Sequence, residues 1–371
     1  VQERGVTGVR ITLVGPAHPY KGGGARHTTE LAHRLAEQGH DVAIESWRAQ
    51  YPSMLYPGQQ TIDVPEAAPY PRTRPELAWY RPDGWWRLGR SSGREDDLVV
   101  VTVFSPVQVV PYLGVLGGVS GRTRTVALCH NVLPHERRPV DITLMRSLLR
   151  RTDMVLAHSP EQARLARGLV RGSRTTVRSA ALPPHLPRSG GGGTVRTTVD
   201  HRLLFFGIVR PYKGVDVLLR ALAHGAPPQV RLTIAGEFWG GTARLQALAA
   251  DLGITERVEF ADGYVPAKDL PDLFSRADAV VLPYRSATAT QNVWLAHEHG
   301  LPVIATRAGT LPDQVRDGVD GLLCAPDDPV DLARAVREFY TPGTARRLRA
   351  GVRRVDPQQH WDTYLAALTT T

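Results

Sequence analysis

The chain has 371 residues, 42% hydrophobic and 22% charged, which is typical of soluble globular proteins and argues against a disordered chain. No apolar run approaches the roughly 18 residues of a membrane-spanning helix. The net charge of +9 is uneven, because residues 1–199 hold 26 Lys and Arg against 16 Asp and Glu, whereas residues 200–371 hold 19 against 20. The sequence shows no zinc-finger spacing or RNP-like aromatic pattern, so nucleic acid is not an expected partner.

The first half predicts a parallel α/β unit. An apolar strand at Val9–Val14 precedes the glycine-rich loop Gly15–Gly24, a helix that ends near Gly39 and a strand at Val42–Ile44. Strand, glycine loop, helix and strand follow one another in this order in a Rossmann-like unit. Further buried parallel strands are predicted at Leu98–Val103, Thr125–Leu128 and Met154–Ala157. Residues 50–90 are rich in Pro and aromatic residues without periodicity, which predicts variable loops.

The pattern begins again after Ser189–Thr194, whose four glycines predict a linker. Strands are predicted at Leu203–Phe206, Val230–Ala235, Val258–Phe260, Ala279–Leu282 and Pro302–Thr306. Helices are predicted at Val215–Ala223, Thr242–Leu252, Lys268–Arg276, Thr290–His299 and Val330–Phe339. We therefore expect an N-terminal Rossmann-like domain (1–188), a linker (189–199) and a C-terminal Rossmann-like domain (200–356). A ligand cleft is expected at the carboxyl ends of the strands.

Two loops that follow predicted first strands could carry chemistry. In Lys21–His27, adjacent glycines allow close backbone approach and leave amides free at the start of a helix. In Phe206–Gly214, the cations Arg210 and Lys213 could neutralise a diphosphate leaving group as its bond breaks. The alternatives are an ordinary glycine turn for the first loop and solvated surface cations for the second.

Two later segments are also candidates. Thr290, Gln291 and Asn292 occupy the predicted first turn of a helix, whose amides could bind an anion, and an ordinary capped helix is the alternative. His130 follows an apolar strand, where a structural histidine is the alternative to a functional one. The sequence contains no GxSxG, HExxH or P-loop motif and no acidic pair after a strand, so we expect neither a metal ion nor a cofactor.

These four segments, in this order, resemble the retaining glycosyltransferases of family 4. That family has the GT-B fold, in which two Rossmann-like, doubly wound α/β domains face a cleft. The residues that carry the resemblance are Gly22, Gly23, His27, Gly39, His40, Lys213, Gly214, Leu301–Leu311 and Asp317–Leu323.

The resemblance implies metal-independent transfer of a hexose from a UDP- or GDP-sugar to a glycan, lipid-linked or small-molecule acceptor. It assigns Arg210 and Lys213 to the diphosphate, His130 to the sugar near its sixth carbon and His27 to the acceptor side. The other implied donor contacts are Gly22, Gly23, Gly24, Gly207, Tyr264, Val265, Thr288, Thr290, Gln291 and Asn292. The C-terminal segment 357–371 is implied to return to the first domain as a helix.

The sequence departs from the family at one pair of positions. The family usually carries two glutamates eight positions apart, and these align with Ala287 and Leu295. One normally contacts the donor sugar and the other the ribose. Glu298, one helical turn after Leu295, is a candidate for the ribose contact, and a plain helix-surface glutamate is the alternative. The departure also leaves open a catalytically silent protein that only binds nucleotide sugars.

The basic first half bears on where the protein acts. Five arginines surround a segment with apolar residues at helical spacing, and such a helix can lie on an anionic membrane. The arginines are Arg137, Arg138, Arg146, Arg150 and Arg151, and the apolar residues are Ile142, Leu144, Met145, Leu148 and Leu149. We expect a cytoplasmic protein whose partners are the nucleotide-sugar donor and an acceptor, with an anionic or lipid-linked acceptor and an anionic membrane surface as open alternatives. Another alternative is that the apolar residues face the core.

Overall fold

The computed structural model describes residues 8–52, 60–62, 65, 68–134, 138–186 and 198–370. The chain divides into two compact units, which we call the first unit (residues up to 185 and from 358 onward) and the second unit (186–357). The predicted glycine linker Ser189–Thr194 and the predicted membrane-facing Arg137 lie outside the described residues.

The first unit is built on a parallel sheet of seven strands. The strands are β1 (Arg10–Val14), β2 (Asp41–Ala49), β3 (Thr73–Ala78), β4 (Leu98–Val103), β5 (Arg124–Cys129), β6 (Met154–Ala157) and β7 (Thr176–Ser179). The helices are α1 (Gly23–Glu37), α2 (Pro82–Glu95), α3 (Val109–Gly118), α4 (Pro139–Leu149), α5 (Pro160–Val170) and, at the C-terminus, α13 (Pro357–Thr369). The strand order β3-β2-β1-β4-β5-β6-β7 is that of a Rossmann sheet with one added edge strand.

The second unit repeats this architecture with six parallel strands. They are β8 (Arg202–Phe206), β9 (Arg231–Gly236), β10 (Val258–Asp262), β11 (Ala279–Leu282), β12 (Val303–Thr306) and β13 (Gly321–Cys324). The helices are α6 (Val215–His224), α7 (Ala243–Asp251), α8 (Leu270–Ser275), α9 (Asn292–Glu298), α10 (Leu311–Gln314), α11 (Pro329–Phe339) and α12 (Thr344–Gly351). The order β10-β9-β8-β11-β12-β13 places the first strand of the unit next to β11, as in the first sheet β1 lies next to β4.

Residues of the first sheet alternate between two hydrophobic cores, one on each face. In β4, Val99, Val101 and Val103 pack into one core, whereas Leu98 and Val100 pack into the other. All six residues of β4 are buried. Since both faces of the sheet are covered, the strand can be continuously apolar, which is the pattern that predicted it.

The C-terminal helix α13 covers one face of the first sheet. Trp361, Tyr364 and Leu365 are buried in the same core as β4 residues Leu98 and Val100. The indole nitrogen of Trp361 donates to the carbonyl oxygen of residue 184 at 3.1 Å. The last helix is therefore an integral part of the first unit.

The prediction of loops over residues 50–90 is wrong, because this stretch contains β3 and most of α2. Helix α2 packs closely on α3 through Trp85 and through several small residues. A Cβ atom at Gly89 would lie 1.8 Å from the carbonyl oxygen of Val115, and one at Gly118 would lie 2.5 Å from that of Trp86. The buried residues of α2 are Trp85, Gly89, Ser92 and Gly93. Because three of these four are small, a pattern of large apolar residues does not reveal the buried face of this helix.

The basic segment forms helix α4, and its apolar side faces the core of the first unit. Met145, Leu148 and Leu149 are buried, Leu144 packs on the same core, and Ile142 is 37% exposed. These residues therefore do not form the membrane-facing stripe that the spacing suggested. Across the described residues, every helix falls short of the length and apolarity that crossing a bilayer requires.

Candidate functional site

In the second unit, the predicted cations lie on the loop that joins β8 to α6. This loop turns through a short 3-10 helix, Pro211–Lys213, and continues at Gly214 in the left-handed region, with φ of 67°. A Cβ atom at Gly214 would lie 2.0 Å from the carbonyl oxygen of Pro283. Gly214 thus allows the loop to pack against the segment after β11, and this contact fixes the position of Lys213.

Lys213 is held by neutral groups. Its Nζ donates to the Tyr284 hydroxyl at 2.8 Å, and the Asn292 amide nitrogen donates to the same hydroxyl at 3.1 Å. The Asn292 amide also donates to the carbonyl oxygen of Phe206 at 2.7 Å, which ties it to the end of β8. Tyr284 is only 1% exposed, so its hydroxyl is a fixed acceptor that orients Lys213.

The charge of Lys213 is not neutralised by a carboxylate in the described part of the chain. Burial disfavours this charge, but the hydroxyls of Tyr284 and Tyr212 outweigh that effect, and the pKa of Lys213 lies above its usual value. A second cation, Arg210, precedes the same turn, with its guanidinium 4.8 Å from the centre of the Trp239 ring. The loop therefore concentrates positive charge, the environment that a phosphate or diphosphate requires.

An ion-pair network fastens the two loops together. The Arg285 guanidinium donates to both carboxylate oxygens of Asp216 at 2.8 Å, and its Nε donates to Asp327 at 2.8 Å. The Arg285 amide donates to the carbonyl oxygen of Tyr212 at 2.8 Å. Because these charges pair with each other, Arg285 is a structural cation, unlike its neighbour Lys213.

The segment before α9 differs from its prediction. Helix α9 begins at Asn292 and has seven residues, so Thr290 and Gln291 precede the helix rather than forming its first turn. The Thr290 hydroxyl accepts a hydrogen bond from the backbone N–H of Asn292 at 3.2 Å. One backbone amide at the start of the helix is therefore already occupied and is removed from a possible anion site. A short helix with an occupied amide gives little support to an anion site at this terminus.

The remaining predicted donor contacts fall at the carboxyl edge of the second sheet. Gly207 directly follows β8, and a Cβ atom there would lie 3.4 Å from the Asn292 amide nitrogen. Tyr264 and Val265 follow β10 and are half-buried, as is Thr288 after β11. The strands β8 and β11 pair directly, which brings their loops together. Lys213, Arg210, Gly207 and Asn292 therefore belong to one cluster.

The two positions where the family has glutamates carry the apolar residues Ala287 and Leu295. Ala287 is buried, and its carbonyl oxygen would lie 1.6 Å from a Cβ atom at Gly309, so the chain is closely packed there. Glu298 ends α9 and is 8% exposed. Burial raises the pKa of Glu298, and the charge of Arg354 opposes that shift. The ribose contact of Glu298 stays a prediction.

In the first unit, the structure brings His130 and the glycine loop together through Phe104. The rings of Phe104 and His130 stack with their centres 4.1 Å apart. A Cβ atom at Gly24 would lie 2.7 Å from the Phe104 ring, so Gly24 is required for this packing. His130 is half-buried, whereas Gly22 lines a small pocket, open to solvent, together with Arg26 and Tyr20.

The acceptor-side role of His27 is not supported, because its side chain lies in the core and is 0% exposed. Its Nδ1 is 2.9 Å from the Nε2 of His185, and its Nε2 is 3.0 Å from the Tyr364 hydroxyl. His158 Nε2 is 2.9 Å from the same hydroxyl. His27 therefore joins α1 to the C-terminal helix and belongs to a cluster of four histidines with His130, His158 and His185.

The histidines of this cluster are neutral at physiological pH. Burial lowers the pKa of His27, His130 and His185 well below the usual value and that of His158 to about 3. Sequence reasoning selected His130 because it follows strand β5, but it missed His158, which follows the neighbouring strand β6 in the same way. It gave no role to Tyr284, the first residue of the candidate segment Tyr284–Gly300, which lies two residues after the end of β11.

Two family models match the chain. The model described as Glycosyltransferase Family 4 matches residues 21–178, and the one described as Glycosyl transferases group 1 matches residues 200–341. Together they span most of the two units.

Curated relatives match part of the chain. A D-inositol 3-phosphate glycosyltransferase of Acidothermus cellulolyticus is 34% identical over 170 residues, which are 43% of this chain and 38% of the relative. A protein of the same name from Mycobacterium sp. (strain KMS) is 39% identical over 152 residues, or 40% of this chain and 34% of the relative. The match thus spans well under two thirds of each relative.

Solved structures match over nearly the whole chain. HepE of Anabaena in complex with UDP and glucose aligns with a TM-score of 0.68 at 18% identity, covering 98% of this chain and 100% of that one. The lipopolysaccharide outer core galactosyltransferase WaaB aligns with a TM-score of 0.69 at 14% identity, covering 97% and 99%. At these identities the similarity concerns the fold.

Proposed function

The chain belongs to the GT-B glycosyltransferases, with a family 4 domain followed by a group 1 domain, and we propose that it transfers a hexose from a UDP- or GDP-sugar to an acceptor hydroxyl. The proposed transfer retains the anomeric configuration and uses no metal ion. The observation that carries this proposal is the cation cluster of Lys213 and Arg210, in which Lys213 is oriented by a phenol rather than by a carboxylate.

The charge balance of this cluster suits a departing nucleoside diphosphate. When the bond to the sugar breaks, negative charge develops on the leaving oxygen, and fixed cations stabilise that charge more than they stabilise the intact donor. A carboxylate on Lys213 would cancel its charge, whereas the Tyr284 hydroxyl only holds it in place. We propose that these two cations, rather than a metal ion, compensate the charge of the diphosphate.

In the first unit we assign His130 to the donor sugar. Its ring is neutral because burial lowers the pKa, so it would make a hydrogen bond to a sugar hydroxyl rather than add charge. The stacked Phe104 ring fixes the plane of the imidazole. The resemblance to the family implies the same role for the histidine at this position.

The pocket beside the glycine loop is our candidate for part of the acceptor site. Gly22 and Arg26 line it, and a guanidinium suits an anionic acceptor. Relatives named D-inositol 3-phosphate glycosyltransferases support a phosphorylated polyol as the first acceptor to test. Glycans and lipid-linked acceptors are the other classes.

The absent glutamate pair requires other donor contacts. We propose that Thr288, Gln291 and Asn292 provide neutral hydrogen bonds to the sugar or phosphates, and that Glu298 contacts the ribose. A protein that binds nucleotide sugars without transferring them is the second candidate, and Ala287 and Leu295 at the glutamate positions are the observation that favours it.

Incubation with UDP- and GDP-hexoses and a phosphorylated polyol, with product detection by mass spectrometry, tests the proposal. Product that persists in saturating EDTA is the expected result. Activity that EDTA abolishes and Mg²⁺ or Mn²⁺ restores would contradict the metal-independent mechanism. A thermal shift with nucleotide sugars but no product for any acceptor class would favour the binding protein instead.

A further inference from the structure

We propose that His27, His130 and His158 form a transition-metal site within the first unit, which takes Zn²⁺ and, when filled, withdraws His130 from the donor sugar. Metal binding follows from the geometry of the three rings. The inhibitory effect of the metal rests on the sugar contact of His130 in the proposed function.

The three rings have the spacing of a metal site. One ring nitrogen from each histidine lies within 4.8 Å of the other two. The ring centres are 4.8 Å apart for His27 and His130, 4.5 Å for His130 and His158, and 5.8 Å for His27 and His158. Three imidazoles that share one tetrahedral ion at metal–nitrogen distances of about 2 Å have ring centres roughly 5 Å apart. Small movements of the rings would therefore suffice.

Two of the three histidines each have a ring nitrogen without a hydrogen-bond partner in the described part of the chain. The Nε2 of His130 and the Nδ1 of His158 are both buried and make no hydrogen bond there. A buried polar nitrogen without a partner costs free energy, roughly 1–3 kcal/mol for a neutral group. A metal ion would satisfy both atoms at once.

His27 supplies the third ligand at a cost. Both of its nitrogens are hydrogen-bonded, one to His185 and the other to the Tyr364 hydroxyl, so binding exchanges one of these bonds for a bond to the metal. We therefore expect weaker binding than at a dedicated structural zinc site, and reversible occupation.

The chemistry of the cluster suits zinc or cobalt. Neutral imidazole is the form that ligates these ions, and burial keeps all three rings neutral. The rings of Phe104 and Trp361 stack on His130 and His27 and shield the cluster from water. The half-buried side of His130 leaves a route by which an ion can enter.

Binding of Co²⁺ to EDTA-treated protein tests the site directly. Tetrahedral coordination by nitrogen gives strong visible absorption bands, and calorimetry gives the stoichiometry. We expect one ion per chain, and a loss of affinity of more than about tenfold in both His130→Gln and His158→Gln. His33→Gln is the matched control, because His33 lies in the same unit, where it bonds the carbonyl oxygen of Ala68 and packs on the Tyr70 ring.

Two outcomes overturn the site: no uptake of Co²⁺ by the wild-type chain, or uptake that His130→Gln and His158→Gln leave unchanged. His130 lies outside the Tyr364 network, so that variant keeps the test valid if His158→Gln fails to fold.

The inhibitory effect is tested separately. Zn²⁺ should lower the activity of the wild-type chain, EDTA should restore it, and His158→Gln should be less sensitive to Zn²⁺. Activity that bound Zn²⁺ leaves unaffected overturns the withdrawal of His130 but not the metal site. Co²⁺ absorption decides the site even if the chain proves to have no transferase activity.

Discussion

The two units share a strand order, and each has cations at the loop after its first strand, Lys21 in one unit and Arg210 and Lys213 in the other, but different groups lie beside the two loops. After β1, the first unit has a glycine turn and, beside it, a cluster of neutral histidines; after β8, the second unit has Arg210 and Lys213. The excess of positive charge lies in residues 1–199, yet Lys213, which has no carboxylate partner among the described residues, lies in the other half. The distribution of net charge along the sequence therefore did not indicate the candidate site. The lack of a carboxylate partner at Lys213 does indicate it.

The largest expected effect concerns the charge of the second unit. Lys213→Ala should lower turnover by on the order of a hundredfold, about 3 kcal/mol, because one preorganised charge contact to the leaving group is lost. Lys268→Ala is the matched control, since Lys268 is an exposed cation of the same unit. Steady-state kinetics with a saturating acceptor measures the change. A Lys213→Ala protein within about threefold of wild type would remove this loop from the mechanism.

The next effect concerns the neutral histidines of the first unit. The folded-state pKa of His158 is about 3, below the value of about 6.5 in an unfolded chain, so the unfolded state binds the proton first as the pH falls. Stability that is present above pH 6.5 should therefore be lost below it, by about 2 kcal/mol between pH 7 and pH 5 for this group. Urea unfolding at the two pH values measures the difference.

The control for this pH dependence is His158→Gln, which removes the titrating group and can still bond Tyr364. Its stability should change less between pH 7 and pH 5 than that of wild type, while His33→Gln should behave as wild type does. Equal losses in all three proteins would show that His158 does not contribute to the pH dependence.

A smaller effect tests how Lys213 is oriented. Tyr284→Phe keeps the ring that packs at 6.5 Å from the Phe205 ring but removes the hydroxyl that binds Lys213. We expect turnover to fall about tenfold, about 1.4 kcal/mol, with unchanged thermal stability of the fold. Tyr80→Phe, at an exposed tyrosine, is the control. Unchanged kinetics in Tyr284→Phe would mean that Lys213 needs no fixed acceptor.

The smallest expected effect concerns the surface arginines. Because Met145, Leu148 and Leu149 of α4 are buried, membrane binding would depend mainly on charge, at most ~1 kcal/mol per arginine near the surface. Any co-sedimentation with anionic liposomes should vanish by ~0.5 M salt, where screening is short-ranged, and none should occur with neutral liposomes. Binding to neutral liposomes would show that apolar contacts, such as those of the exposed Val140 and Ile142 of α4, outweigh charge.

The sequence alone determined the fold class, because continuous apolar runs between glycine loops are typical of parallel strands that are covered on both faces. The strands Leu98–Val103, Met154–Ala157 and Ala279–Leu282 were predicted with their observed bounds. Burial on both faces makes such strands recognisable without knowledge of their neighbours. The cations Arg210 and Lys213 were identifiable for a related reason, since they follow a strand in a short loop.

Only the tertiary structure decided which polar residues meet. His27 contacts Tyr364 across 337 residues, and Lys213 contacts Tyr284 across 71, so neither pair leaves a local pattern. Helix α2 was missed because three of its four buried residues are glycine or serine, and only Trp85 is large and apolar. The periodicity of apolar residues shows which face of a segment is buried. Contacts between residues distant in sequence depend instead on the order of the strands in the sheet. For that reason only the structure shows that His27, which was predicted to contact a ligand, lies in the core, and that Tyr284 is the partner of Lys213.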